Sequence, residues 1–509
     1  MRTTGLPALF TLLSIPAVLL ASAPALAADA PPAANPPPAP AAGAASDDAA
    51  REAALSAQIM APKAGGLTAD AVGKRAAQTS FQAQAQEQVL RGAAARVDAA
   101  WASFLPRLSG TFRYTRLSDL TPPSLFSGTG NLVGTTAPAG TLNPSPTVAI
   151  SLSGASFPVF LDNWLIQGTL VVPLSDYVFR LTQNYAAANK SQQAAKYDLA
   201  VARAKSASDG KIAYYNWLRA RGSVVVAKLA LDDQKTHLND TKNLLDAGKA
   251  SKVDVLRGET GVAAAELAVE QTTHFAQLGE AQVRIAIHAR DDEPLEVGET
   301  IDGDVVAYGG MLPQLVAEAQ SSRLEIKSLD ATADALHGQA TVVRAGQFPS
   351  LSAVGNVTVA NPNQRLIPQQ DKFFPTWDVS LQLTWSPNDV ASSRANGADV
   401  ESKAVQIEAQ KQAVRDGIAL EVTQAFQAVQ EADFSLRSTD KQLVTAREAV
   451  RVARELFKAG LVTSTTLTDA ETELTRARLA SLNAHVDARV ARVRLDHALG
   501  RDTKDAKVD

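Results

Sequence analysis

Two glycine turns carry the side chains whose types and spacing could do chemistry. Gly248 is followed by Asp254, and Gly460 is followed by Asp469. Glycine allows the left-handed residue that ends a helix, and an acid near the start of the next helix is favoured by the helix dipole. The spacing therefore predicts two tight helical hairpins, each with a carboxylate close to its tip.

The other reactive side chains exclude most enzymatic chemistry. The chain has no cysteine, which removes disulfides, thiolate metal sites and cysteine nucleophiles. No P-loop, zincin or nucleophile-elbow pattern occurs, and the mild net charge of -4 gives no basic field for a nucleic-acid partner. We predict no enzyme, no cofactor and no metal site. The histidines lack metal-binding spacing and are expected at the surface: His237, His274, His288, His337, His485 and His497.

The N-terminus predicts export. An apolar run at 6–20 follows Arg2 and ends in small residues, which is typical of a signal peptide over residues 1–27. Residues 28–50 are rich in Ala and Pro and are predicted to be a disordered lead, and residues 501–509 a flexible tail. No later stretch reaches the roughly 18 apolar residues of a membrane helix. A spanning form of this chain would therefore have to be a closed β-barrel.

Four segments alternate apolar and polar residues with the period of a strand. They lie at about 107–118, 163–174, 350–360 and 376–386. Each is about ten residues long, which fits a tilted membrane strand. A soluble sandwich is the alternative, but long polar loops on one side and direct continuation into helices on the other favour a barrel. Flanking aromatic residues predict a membrane girdle, with Phe104, Phe348 and Trp385 near one rim and Trp164 and Trp377 near the other.

Two proline-free segments with a helical pattern, about 176–246 and 389–458, predict unusually long helices. About 70 residues at about 1.5 Å each make a rod of about 100 Å. In these segments an apolar residue recurs at every seventh position, beside a row of small residues. This apolar stripe predicts close-packed, supercoiled helices. Shorter helices complete two structural repeats, 51–290 and 311–500, which an equatorial linker at 291–310 joins. One continuous helix is expected before each strand pair, at about 67–103 and 312–347, and another after each glycine turn, at about 253–289 and 465–499.

The predicted fold class is mixed and mainly α, with a duplicated helix-strand-strand-helix-helix repeat and four β-strands per chain. Four strands cannot close a barrel, because about eight is the smallest filled size. Either the chain oligomerises to close a transmembrane β-barrel, or these strands are not a barrel.

Shared motifs in the two halves resemble the TolC family of outer membrane efflux proteins. Phe104-Leu105-Pro106-Arg107-Leu108-Ser109 returns as Phe348-Pro349-Ser350-Leu351-Ser352, and each glycine turn ends a long rod. The resemblance covers nearly all of the mature chain. It implies a homotrimer in the outer membrane of a Gram-negative bacterium, with a 12-stranded barrel in outer membrane lipid and a coiled-coil helical tunnel extending into the periplasm. It also implies two partners, a periplasmic adaptor protein and an inner-membrane pump of RND, ABC or MFS type.

The resemblance assigns gate roles to residues near the turns. In the family, acids of the second tip ring the periplasmic opening, and polar links between the tips hold it closed. The matching positions are Asp469, Asp254, Thr466 and Phe457. Thr466 replaces an acid, and Phe457 and Val462 stand where the lock would need Tyr and Arg. A ring of three carboxylates would favour cations, whereas helix capping is the simpler interpretation of both acids.

The same resemblance places the adaptor contact at the two tips. The matching residues are Gly248, Ser251, Gly460, Leu461 and Thr463. Good hairpin turns would need the same residue types without any partner, so both interpretations stay open.

Three functions compete at this point. A passive exit duct of a tripartite efflux or type I secretion system is the leading hypothesis. A trimeric coiled-coil periplasmic scaffold or surface adhesin would place its strands at one terminus, whereas here strands interrupt the helices twice. A secreted hydrolase needs a catalytic constellation that this sequence does not contain.

Overall fold

The computed structural model describes residues 44–119, 127–133, 147–153, 159–301, 303 and 308–504. The predicted signal peptide, residues 28–43 of the predicted lead and residues 505–509 of the predicted tail lie outside the described residues. The first described helix is α1 (Ala44–Met60). The elements of the first repeat are α2 (Ala69–Thr79), α3 (Phe81–Ala102), β1 (Arg107–Arg116), β2 (Ser127–Val133), β3 (Thr147–Ser153), β4 (Asp162–Val172), α4 (Thr182–Asp246) and α5 (Lys252–Ala286). Those of the second are α6 (Leu312–Ser322), α7 (Leu324–Arg344), β5 (Ser350–Asn361), β6 (Phe374–Thr384), α8 (Pro387–Lys458) and α9 (Ser464–Ala498).

The predicted four-stranded sheet is confirmed as one antiparallel sheet in the order β1-β4-β5-β6. Every strand of it continues into a helix. Helix α3 leads into β1 and α7 into β5, while β4 leads through a π-helical turn, Tyr177–Leu181, into α4, and β6 leads into α8. The sheet is open in the described chain, with β1 and β6 as its edges.

The helices pack in the same lateral order as the strands. Near the sheet, α4 packs against α3 and α7, and α7 packs against α8. Towards the glycine turns, α4 packs against α5 and α9, and α9 packs against α8. The order is thus α3-α4-α7-α8 in one half and α5-α4-α9-α8 in the other. One lateral edge consists of β1, α3 and α5, and the opposite edge consists of β6 and α8.

Burial along α8 follows the predicted stripe of apolar residues at every seventh position. The stripe residues Val422, Val429, Val450 and Phe457 are buried, and so are members of the small companion row. Small side chains let neighbouring helices approach closely. Gly279 of α5 shows this best, because a Cβ there would lie 3.2 Å from the Cα of Trp217 in α4. The long helices are therefore held by narrow apolar seams rather than by a thick core.

The duplication extends to the shorter helices, which contain a break that the sequence did not predict. We expected one continuous helix before each strand pair. Instead α2 ends at Ser80 and α6 ends at Arg323, both with extended ψ of 126°. Ser80 also caps α3, because its Oγ accepts a hydrogen bond from Ala83 N. The same break recurs 243 residues later (80 against 323), as does the first residue of the strand that follows each helix pair (107 for β1 against 350 for β5).

Three further expectations are wrong at their margins. The lead was expected to be disordered to residue 50, but α1 begins at Ala44 and has packing partners in α4 and α8. The tail was expected to be flexible from residue 501, but Arg501 forms an ion pair with Glu318 at 2.8 Å and begins a short 3-10 helix. The polar loop after β1 contains the hairpin β2-β3 in addition to the four predicted strands, and its Thr and Val residues suit strands.

The linker crosses the helices and pairs with the chain that enters α2. Leu67 bridges Val297, and Gly298 N donates to Leu67 O at 2.8 Å. The two backbones are so close that a Cβ on Gly298 would lie 2.3 Å from Gly66 O. Only glycine fits at this crossing.

We predict that Gly298→Ala destabilises the protein by about 2–3 kcal/mol, because the added methyl group must push two backbones apart. Gly92→Ala is the matched control: Gly92 lies in α3 with open space around it, and alanine is the better helix former. The midpoint of thermal unfolding in detergent should fall for Gly298→Ala and stay equal or rise for Gly92→Ala. Equal midpoints for the two variants would contradict the crossing.

Candidate functional site

The first hairpin tip is a glycine-terminated helix end followed by a capped helix start. Gly248 has φ of +74°, in the left-handed region. Lys249 N donates to Leu244 O at 2.8 Å, and Gly248 N donates to Leu245 O at 2.9 Å. This pair of bonds is the Schellman motif, which satisfies the last carbonyls of α4.

Asp254 is the partner of Ser251 in a capping box at the start of α5. Ser251 Oγ accepts a hydrogen bond from Asp254 N at 3.2 Å, and Ser251 donates to Asp254 Oδ2 from both its N (3.1 Å) and its Oγ (2.6 Å). These bonds, led by that from the Ser251 hydroxyl, lower the pKa of Asp254 below its ordinary value. Capping therefore accounts for the position of this carboxylate.

The second tip repeats the design without the acid. Gly460 has φ of +76° and Leu461 N donates to Leu456 O at 2.9 Å. Thr463 caps α9, and its Oγ1 lies 3.1 Å from the Oγ1 of Thr466. Thr466 occupies the position of Asp254 in the capping box, so the exchange of acid for hydroxyl at this position leaves the second tip capped but uncharged there.

The predicted tip residues are accessible. Gly248 and Gly460 face open space, and Ser251 and Thr463 are exposed. Leu461 at the second tip is 72% exposed, and Val253 and Leu256 beside the first tip are also exposed. Apolar side chains left open at a helical tip are a feature of contact surfaces.

The four predicted gate residues fall in different environments. Asp469 is exposed on α9, and Asp254 and Thr466 are occupied in capping. Phe457 is buried with Ala453 and Leu467 in a small apolar cluster under the second tip. Its ring stacks on His237 of α4, with centroids 5.3 Å apart. Phe457 therefore joins the two hairpins by packing rather than by a hydrogen bond.

His237 contradicts the expectation that all histidines lie at the surface. It is 3% exposed, and its Nε2 lies 3.0 Å from Ser464 Oγ at the start of α9. Its Nδ1 lies 3.5 Å from Glu471 Oε2, which also accepts a bond from Gln234 at 3.1 Å. Glu471 is buried, and burial raises its pKa. Polar side chains of α4 and α9 thus meet in the interior just above the tips.

A partly buried ionic network continues from Glu471 away from the tips. Arg454 of α8 lies 3.9 Å from Glu471 and 3.1 Å from Asp233 of α4. Arg478 of α9 lies 3.2 Å from the other oxygen of Asp233. Arg478 also approaches Glu52 of α1, which forms an ion pair with Arg447 of α8. We call these six charged residues the inter-hairpin network; three carboxylates face three arginines across four helices.

The inter-hairpin network was missed because the helical pattern was traced through apolar and small residues, and charged residues were passed over. The signal was present in the spacing along α9, where charged side chains take places in the seam of buried residues. Continuing the apolar heptad through polar residues would have found them. The buried seam reads Leu467, Glu471, Leu474, Arg478 and Ser481.

The second candidate surface is the sheet, whose two faces differ in polarity. On β6, Trp377, Val379, Leu381 and Leu383 lie on one face and are each at least 67% exposed. Leu108, Phe112, Ile166, Leu170 and Val357 extend this face across the other strands and are also exposed. The opposite face is polar, and its side chains bond in a row across three strands: Thr169 Oγ1 donates to Asn356, and Asn356 Nδ2 donates to Asp378, both at 2.9 Å.

The predicted girdle residues lie at the two ends of the sheet. Trp377 and Trp385 are eight residues apart on one face, about 26 Å at about 3.3 Å per residue, close to the height of about 25 Å of a membrane barrel's apolar band. Phe348 stacks on Phe179 at the helical end, and Phe104 contacts Tyr177 there. At the far end Trp164 packs against Tyr114.

No helix among the described residues is long and apolar enough to cross a membrane. No group of three or more metal-ligating side chains occurs among the described residues.

Comparisons with known proteins match a family model to part of the chain and one fold to most of it. Residues 315–501 match the protein-family model described as outer membrane efflux protein. The CmeC outer membrane channel of Campylobacter jejuni is 13% identical, with a TM-score of 0.65 over 88% of this chain and 93% of that one. The VceC outer membrane protein of Vibrio cholerae is 15% identical, with a TM-score of 0.64 over 85% and 96%.

The MtrE outer membrane channel of Neisseria gonorrhoeae, solved in its open state, is 16% identical, with a TM-score of 0.65 over 85% of this chain and 88% of that one. The structural likenesses at these low identities establish a shared fold. A comparison with the curated proteins gives no match.

The capping box makes a testable difference between the tips. Ser251→Ala and Thr463→Ala should each weaken a helix start by about 1 kcal/mol at neutral pH. Because the pKa of Asp254 is lowered, the stability that it contributes is present above its unfolded pKa of about 4 and is lost as pH falls through the folded value.

Hydrogen exchange of residues 252–258 and 464–470 should therefore show that acidification reduces the effect of Ser251→Ala and leaves that of Thr463→Ala unchanged. An identical pH dependence at both tips would show that Asp254 takes no part in capping.

Proposed function

We propose that the chain is a member of the outer membrane efflux protein family and is the outer membrane exit duct of a tripartite efflux system, a passive channel that closes only when three copies associate. The duct carries substrates across the periplasm and through the outer membrane without covalent chemistry. A periplasmic adaptor and an inner-membrane pump supply the substrate and the energy.

The single observation that carries this proposal is that the same lateral edge is left open at every level of the molecule. The edge of β1, α3 and α5 lies opposite the edge of β6 and α8, so one copy offers the next a complementary row of strands and helices. Head-to-tail association of this kind makes a ring if its rotation closes. Exposed apolar side chains lie along both edges, with Phe81 and Phe275 on one and Leu420 and Phe434 on the other.

Ring closure gives the two faces of the sheet different surroundings. The apolar face turns outward to lipid, and the row of Thr169, Asn356 and Asp378 turns inward to water. Three copies supply twelve strands, which exceeds the roughly eight of the smallest filled barrel and leaves an aqueous lumen. The aromatic residues at the two ends of the sheet then lie at the two membrane surfaces.

The tips are the proposed meeting point with the adaptor and the proposed gate. Gly248, Ser251, Gly460, Leu461 and Thr463 form an accessible surface that suits the adaptor contact. Asp469 is the proposed gate carboxylate, because it is exposed and outside the capping box. Three copies would place three such carboxylates around one axis. Asp254 is a weaker gate candidate, since its carboxylate is engaged in capping α5.

The assembly has a direct test. The protein extracted from outer membranes should have the native mass of three chains, and heating should convert it to single chains. Purified trimers should insert into planar lipid bilayers as pores. A compact monomer that stays soluble without detergent would overturn the proposed function, and a trimer that makes no pores would favour a coiled-coil scaffold instead.

The gate carboxylate has its own test in single-channel recordings. Asp469→Asn should weaken block by trivalent cations applied from the tip side by about tenfold, because a ring of three negative charges at a constriction is lost. Glu87→Gln makes the same change of charge on α3, where Glu87 pairs with Arg91 far from the tips, and should leave the block unaltered. Equal block in the Asp469→Asn variant and the wild type would reject the gate role.

A further inference from the structure

The N-terminal helix α1 lies outside the repeated framework and fastens onto it from the side. It contacts α4 and α8, which belong to different repeats. Arg221 of α4 donates to the carbonyl oxygen of Ile59 at the C-terminal end of α1. The second repeat has no counterpart of α1 within the described residues, so duplication of the fold does not explain this helix.

Glu52 of α1 is the member of the inter-hairpin network that enters from outside. Arg447 of α8 donates to Glu52 Oε1 at 2.7 Å. Glu52 Oε2 and Arg478 Nε of α9 are both shielded from water and lie 3.4 Å apart without the geometry of a hydrogen bond. The side chain of Arg478 is 5% exposed, whereas that of Arg447 is 40% exposed. Without Glu52, the buried Arg478 would keep its bond to Asp233 and lose the second carboxylate beside it. Under-paired buried charge is costly, so Glu52 helps to keep Arg478 in place.

Ionic contacts hold α1 at Glu52, while apolar packing is found at its C-terminal end, where Met60 packs against the core cluster of Tyr214 and Trp217. Beneath α1 lies a cavity of about 520 Å³ between α1, α4, α8 and α9. Val225, Val226 and Leu443 line its floor, and Ala57 and Met60 of α1 cover it. A helix that leaves a cavity beneath it and is held by a few ionic contacts can detach without disrupting a hydrophobic core.

The position of the network gives detachment a consequence. Asp233 is bonded by an arginine from α8 and an arginine from α9, so it ties the second hairpin to α4 of the first. Asp233 lies 13 residues before the end of α4 at Asp246, which is about 20 Å along the helix. The tips can separate only if the ties above them yield.

We propose that α1 is a releasable clasp: Glu52 completes the inter-hairpin network and holds the hairpin α8-α9 against α4, and release of α1 frees the second hairpin to move and open the tip end of the duct. This inference rests on the proposed exit-duct function. The clasp is independent of the tip residues, because it acts through Arg447 and Arg478, which lie about three to four turns above them.

Glu52→Gln tests the clasp, and Arg51→Gln is its matched control on the same helix. Arg51 forms an exposed ion pair with Asp232 at 3.5 Å, and such a pair contributes little. In Glu52→Gln, the frequency of opening in planar bilayers should rise about tenfold, and hydrogen exchange of α1 and of residues 447–478 should quicken by a similar factor. Arg51→Gln should match the wild type in both measurements.

The outcomes separate the clasp from the duct. Wild-type trimers that form no pores would overturn the exit-duct function. Pores whose opening frequency is the same in Glu52→Gln and the wild type would overturn the clasp alone, even if thermal stability fell. Arg447→Gln and the double variant complete the test: if the two residues act through one contact, the double variant opens no more often than the single variants, whereas multiplied effects would overturn the shared contact.

Discussion

The structure depends on one constraint: every strand of the sheet continues into a helix, so strand pairing and helix packing must follow one lateral order. Strands pair about 4.8 Å apart, whereas packed helices need about 8–10 Å. The strands of a single sheet can therefore continue into a layer of packed helices only if the strands are tilted and the helices pack closely. The alanine-rich companion rows and the approach of Gly279 to Trp217 meet that second condition. Helices α3 and α5 then occupy the column at one edge, and α7 and α9 occupy the column between the rods α4 and α8.

The same constraint decides what one copy of the chain leaves unfinished. An edge that is open in the sheet is necessarily open in the helices attached to it, because both belong to the same column. Nothing within the described chain covers the edges formed by β1, α3 and α5 and by β6 and α8. Association must satisfy strand hydrogen bonds and apolar helix stripes together. A partner with the same column spacing is needed for this, and a second copy of the chain is the simplest one.

Much of this fold could be predicted from periodicity, and the failures have a common cause. The apolar heptad of α8 and the alternation of apolar and polar residues in β6 could be recognised in the sequence, because their apolar residues recur without interruption. Breaks at Ser80 and Arg323 were missed because neither residue is a glycine or proline, and a single extended ψ leaves no compositional trace. His237 was expected at the surface, and Asp233 and Arg478 were passed over, because a count of apolar residues ignores where a charged residue lies along a helix. Their burial depends on partners from helices more than 200 residues away in the sequence, and no local pattern carries that information.

At the tips, the pattern of residues was informative about local structure and left function open. Gly248, Ser251 and Asp254 explain one another completely as a helix end and a capping box, and Gly460, Thr463 and Thr466 do the same. Residues that are fully engaged in capping can hold a turn, but they contribute little to holding two hairpins together. The energy that keeps the second hairpin against the first must therefore come from elsewhere. The contacts between them include the stacking of Phe457 on His237, the polar contacts of α4 with Ser464 and Glu471, and the ionic ties of Asp233. A buried network of paired charges adds little net stability compared with apolar packing. It nevertheless fixes the register between the helices, because any shift of one helix leaves a charge without its partner. That property suits a joint that must have one closed arrangement and still be able to open.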